Sequence, residues 1–145
     1  MIRTVLAVAV LAFGATTLVA QNDPIAARKA LMKTNGDQNK IATEMLEGKQ
    51  PFDLAAAKKV LLAFADAGEK APALFPDDSK TGGDTAALPP VWENKADFNA
   101  RLAKLAKDAK AAADATTDMD TFKVQITEVR KNCGGCHQTY RKRTS

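Results

Sequence analysis

The stretch Asp118–Tyr140, DMDTFKVQITEVRKNCGGCHQTY, decides how this chain folds. Phe122, Ile126, Val129, Cys133, Cys136 and Tyr140 recur there at steps of three and four, the spacing of one face of an α-helix. The same rhythm extends upstream. Phe98, Leu102, Leu105, Ala109 and Ala112 mark a helical segment that follows Pro90 and runs to about Ala115. Leu54, Ala57, Leu61 and Phe64 mark another, from about Asp53 to Ala71. A first segment starts at Asp23-Pro24, a cap followed by a first-turn proline, and carries Ile25, Leu31, Met32, Ile41, Met45 and Leu46 before Gly48. Its Asn35-Gly36 pair is a place where it can bend. Residues 72–89 hold three of the six prolines and both residues of Gly82-Gly83, which reads as a loop. Nowhere does a period of two run long enough for a sheet. Four helices on two short links and one longer loop imply an all-α fold, an antiparallel up-down-up-down four-helix bundle.

Composition agrees and narrows the chemistry. Aromatic residues make up only 6% and alanine is abundant, which favours helix over a sandwich or barrel. Lys+Arg 21 against Asp+Glu 17 gives a charge of +4, too mild and too mixed for a nucleic-acid binder. The chain has two cysteines and one histidine, and all three lie within Cys133-Gly134-Gly135-Cys136-His137. This is the C-x-x-C-H pattern of c-type haem attachment. Positions i, i+3 and i+4 share a helix face, so two thioether links (Cys133, Cys136) and one axial imidazole (His137) reach one porphyrin, giving one covalently bound haem c per chain. Gly134 and Gly135 keep the helix surface low beneath the macrocycle. A zinc site would want a fourth protein ligand, and no second histidine or third cysteine exists. A thioredoxin-like C-x-x-C opens a helix after a strand, whereas this one lies late in a helical segment.

Residues 1–20 read as a cleaved secretory signal: Arg3, then an uncharged apolar run from Thr4 to Ala20. At about 17 residues that run is short for a membrane span, and nothing later is apolar enough to cross a bilayer. A single domain over 21–145, exported to the periplasm, is expected.

One histidine excludes bis-histidine ligation, so the sixth position falls to methionine, lysine, water or nothing. Met119 precedes His137 on the same helix by about 27 Å and is out of reach. In an antiparallel bundle the start of the first helix faces the end of the last. Met32 then lies at haem height, while Met45 is about 20 Å further along. Met32 is therefore the candidate distal ligand, with plain core packing as the alternative. Leu74, Phe75 and Trp92 fall at the same end as candidate pocket wall. Arg28, one turn before Met32, and Arg141, one turn after His137, are candidates for pairing with haem propionates, with solvated surface arginines as the alternative. Arg130-Lys131 and Arg141-Lys142-Arg143 make the end of the last helix basic, which suits an acidic redox partner or simply the helix dipole.

Taken together, these marks resemble the cytochrome c′ family over the whole mature chain. The marks are Cys133-Gly-Gly-Cys-His137 with Tyr140-Arg141, the Arg28-x-x-x-Met32 spacing, and Pro90-x-Trp92. The resemblance implies two branches. In the larger, the haem is five-coordinate and high-spin, and binds nitric oxide or carbon monoxide. In the smaller, a methionine of the first helix completes a low-spin site. Leu31-Met32-Lys33-Thr34-Asn35-Gly36 and Leu74-Phe75-Pro76 resemble the second most closely, which implies electron transfer with redox-partner proteins rather than gas binding. No acid/base pair or nucleophile stands beside the only histidine, so an enzyme is not expected. Dimers through the first two helices occur in the family; the residues here leave that open.

Overall fold

A computed structural model describes residues 23–143. The signal segment 1–20 lies outside these described residues. Three of the four long helices begin at an aspartate whose carboxylate takes up orphan backbone N–H groups. Asp23 accepts from Ile25 and Ala26 at the head of α1 (Pro24–Leu46), and Asp53 from Ala56 at the head of α2 (Leu54–Lys70). Asp118 forms a reciprocal capping box with Thr121 at the head of α5 (Met119–Tyr140). α1 runs unbroken through Asn35-Gly36. The 72–89 segment is largely irregular, with 3₁₀ turns at Ala71–Leu74 and Asp77–Ser79.

The third segment differs from expectation in one respect. A single turn, α3 (Pro90–Glu93), precedes the long α4 (Lys95–Ala115), and the helical path breaks at Asn94 (φ −117°, ψ 45°). The break has a visible cause. The indole N–H of Trp92 donates to the carbonyls of Phe75 (3.1 Å) and Pro76 (3.1 Å), which ties α3 to the loop rather than to the axis of α4.

The bundle is antiparallel, with α2 lying along α4 and α4 along α5. Its core has two parts. A lower cluster gathers Ala42, Met45, Leu61, Phe64, Leu105, Phe122, Ile126 and Val129. An upper one gathers Phe75, Val91, Phe98, Leu102 and Tyr140, with Leu31, Leu74, Trp92 and Cys136 packed against it. Edge-to-face aromatic pairs knit the upper cluster: Phe75 to Phe98 at 4.8 Å and Phe98 to Tyr140 at 5.1 Å between ring centroids. No helix among the described residues is long and apolar enough to cross a membrane.

Candidate haem site

Between the two clusters, along one flank, the packing changes character. On α1 no residue from 29 to 41 is buried, and on α5 none from 130 to 139 is. These stretches face each other, and α1 and α5 scarcely touch. Cys133, Cys136 and His137 lie on this part of α5, each half-buried, and both thiols are free.

Burial shifts the proton equilibria of all three groups. Burial pushes both thiols above the ordinary cysteine range, favouring S–H over thiolate. Burial, and then the charge of Arg141, hold His137 below the usual imidazole value. The ring is thus neutral, with a nitrogen lone pair free to bind a metal.

Two observations test whether these residues fit a haem. Gly134 and Gly135 sit inside α5, where each glycine costs about 1 kcal/mol of helix stability relative to alanine. Nothing in the chain requires them: a Cβ at Gly134 would meet no atom within 4 Å, and one at Gly135 only Arg101 Nη1 at 4.0 Å. A group from outside the polypeptide held against this face would account for them. Asn35, on the inward stripe of α1 that continues to the buried Arg28 and Ala42, leaves its buried Oδ1 without a partner. A buried polar atom left without a partner on the stripe that faces α5 fits a site for a further group. The residues present fit a haem.

The placement of the other candidates is specific. Met45 is buried in the lower cluster and Met119 packs against it. Met32 is 37% exposed, on the open flank. Arg141 is exposed at the end of α5, where its backbone forms an antiparallel bridge to Ala87.

Arg28 is not a solvated surface residue. It is 5% exposed, and four of its N–H groups are taken. Nη1 donates to Leu74 O (3.2 Å) and Ser79 Oγ (2.9 Å), and Nη2 to Ser79 O (2.9 Å) and Thr85 Oγ1 (2.6 Å). Its guanidinium also lies over the rings of Phe75 (4.8 Å) and Trp92 (5.7 Å). Only Nε–H is left over for a propionate, so the main work of Arg28 is to fasten the 74–85 segment to α1.

Two side chains support α5, one that the sequence did not single out and one that it marked only for its charge. Arg101 donates Nη1–H to Gly135 O (3.1 Å) and lies 5.6 Å over the Tyr140 ring. Its Nε–H meets Asp97 (2.7 Å), which also accepts from the Tyr140 hydroxyl. That hydroxyl and then Arg101 hold Asp97 below the usual carboxylate range. The i,i+4 pair Asp97–Arg101 was the available signal, but such pairs are common on solvated helix faces. Arg130 is the second: it reaches across the flank to Asn39 and Thr43 of α1.

Comparison with known proteins agrees with this geometry. The family model described as Cytochrome C' matches residues 23–141. A cytochrome c′ of Rhodopseudomonas palustris is 48% identical over 132 residues, covering 91% of this chain and 90% of the relative. A cytochrome c-556 of the same organism is 31% identical over 145 residues, covering 97% of each. The solved structure of R. palustris cytochrome c′ superposes with a TM-score of 0.82 at 49% identity, covering 86% of this chain and all of that one. The chain therefore belongs to the cytochrome c′ family, haem proteins of electron transfer or gas binding, and carries a covalently attached haem c.

Proposed function

We propose that this protein is an exported, periplasmic one-electron carrier whose iron is ligated by His137 and Met32. The observation that carries this reading is the register of α1 on α5. Arg130 marks one rung of the antiparallel pair, opposite Asn39 and Thr43. Two helical turns up each helix, about 10.5 Å, lead from Asn39 to Met32 and from Arg130 to His137. Seven residues return to the same face within about 20°. This arithmetic supports Met32 and His137 as partners on one rung of the pair.

The haem supplies a metal that gains and loses one electron without breaking bonds. The chain does the rest. Cys133 and Cys136 anchor the group, and neutral His137 offers one ligand. Met32 offers a soft thioether that favours the reduced metal. Leu74, Phe75 and Trp92 limit water at the closed end. Arg141, Lys142 and Arg143 present positive charge where an acidic redox partner would approach. Residues 1–20 direct export.

Oxidised protein should show a low-spin spectrum with the weak red band of Fe(III)–methionine, and Met32→Ala should abolish that band. A second reading has its own support: the relative at 48% identity is named cytochrome c′, which suits the five-coordinate, gas-binding branch better. A high-spin spectrum in the parent protein, with ready carbon monoxide binding, would establish that reading instead.

A further inference from the structure

We infer that Arg130 is a positioning residue for the sixth coordination position: it sets the axial register of α1 against α5 and so keeps Met32 level with His137. This rests on the ligation reading above. Between residues 29–41 and 130–139 no buried apolar contact holds the two helices in step. The direct polar link across that flank is the guanidinium of Arg130. Its Nε–H donates to Asn39 Oδ1 (2.8 Å), and Nη2 donates to Asn39 O (3.2 Å) and Thr43 Oγ1 (2.8 Å).

The form of the link matters more than its strength. The acceptors span one turn of α1, and Thr43 Oγ1–H already donates to Asn39 O (2.9 Å), so Arg130 engages a preorganised polar pair. A planar fork that meets acceptors on two successive turns fixes position along the helix axis, not merely proximity. Sliding α1 to its next equivalent face means moving about 5.4 Å, which parts all three bonds. Elsewhere α1 is held by apolar burial in the lower cluster, where Ala42 and Met45 lie with residues of α2 and with Phe122, Ile126 and Val129 of α5, and by Arg28 against the 74–85 segment; above the lower cluster Arg130 is the direct tie between the two helices. Arg130 also precedes Cys133 by three residues, so the residue that sets the register is covalently continuous with the haem-binding turn.

The test uses the full holoprotein. Arg130→Ala, Arg130→Lys and the double variant Asn39→Ala/Thr43→Val are compared with Met32→Ala by oxidised spectrum and carbon monoxide titration of the reduced form. Carbon monoxide competes with the methionine, so its apparent affinity scales with the fraction of iron whose sixth position is open. Arg130→Ala should weaken the Fe(III)–methionine band, add a high-spin component and raise carbon monoxide affinity by roughly tenfold. Arg130→Lys, which keeps the charge but loses the fork, should fall between Arg130→Ala and the parent. The acceptor variant should behave like Arg130→Ala, and it keeps the test alive if Arg130→Ala fails to fold. A purely structural tie would lower stability and leave both spectrum and carbon monoxide affinity unchanged; that result overturns the inference. If Met32→Ala changes the spectrum while the Arg130 and acceptor variants do not, only the register inference falls. If Met32→Ala also changes nothing, the ligation reading falls with it.

Discussion

Two helix pairs of this bundle meet in opposite ways. α2 and α4 approach so closely that a Cβ on Gly68 would stand 2.6 Å from Leu102 O and 2.8 Å from Ala106 N. Ala57, Val60, Leu61, Ala65 and Ala67 on one helix and Leu105, Ala106, Ala109, Ala112 and Ala113 on the other are all buried. Across the molecule, above the lower cluster that Met45 shares with Phe122 and Ile126, α1 and α5 meet through an arginine and two polar side chains. A close-packed pair has one good arrangement, because any shift opens voids or forces overlaps. A pair joined by hydrogen bonds at one level leaves room for a flat group between the helices. The α2–α4 side supplies rigidity, and the α1–α5 side supplies a site.

The sharpest way to break this contrast is to disturb the tight side. Leu61 is fully buried in the lower cluster, so Leu61→Ala should cost about 3 kcal/mol in urea unfolding of the holoprotein. The haem spectrum should not move, because that cluster lies below the site; a changed spectrum would show that the two sides are not independent. Gly68→Ala should cost roughly 2 kcal/mol, since α2 and α4 must part to admit the methyl group. A neutral result would mean that the pair is looser than its geometry.

The smallest expected effect concerns pH and the supports of α5. The Tyr140 hydroxyl and Arg101 hold Asp97 below its ordinary pKa of 3.8, so the unfolded chain binds the proton more readily. The contribution of Asp97 is therefore present above that value and lost as pH falls through the lower, folded one. Asp97→Asn should flatten the acid limb of the stability profile below about pH 4 and leave neutral pH nearly unchanged. An unaltered acid limb would remove Asp97 from the supports of α5.

What could be read in advance follows the range of the interactions. Helix starts were legible because Asp23, Asp53 and Asp118 bond to N–H groups within three residues. The Cys-Gly-Gly-Cys-His run was legible because its geometry is set by a single helix. The break at Asn94 was not, since it depends on Trp92 meeting carbonyls 16 and 17 positions away. The burial of Arg28 depends on Ser79 and Thr85, 51 and 57 positions off. The Arg130 link to Asn39 spans 91 positions. An arginine on an amphipathic helix looks the same in sequence whether it ends in solvent or in a fold-wide tie, because its long stem lets the head group go either way.

The antiparallel bridge between Ala87 and Arg141 bears on how the molecule opens. The last turn of a terminal helix is ordinarily the first part to fray. Here Leu88 N–H donates to Tyr140 O (3.0 Å) and Lys142 N–H to Ala86 O (2.8 Å), while Arg28 grips the same segment at Thr85. The end of α5 and the 79–88 segment are therefore fastened to each other, and α1 is fastened to both. Local unfolding at this end must release all three together. The amides of Leu88 and Lys142 should exchange with solvent as one cooperative unit, at a rate set by the whole clasp rather than by the chain terminus.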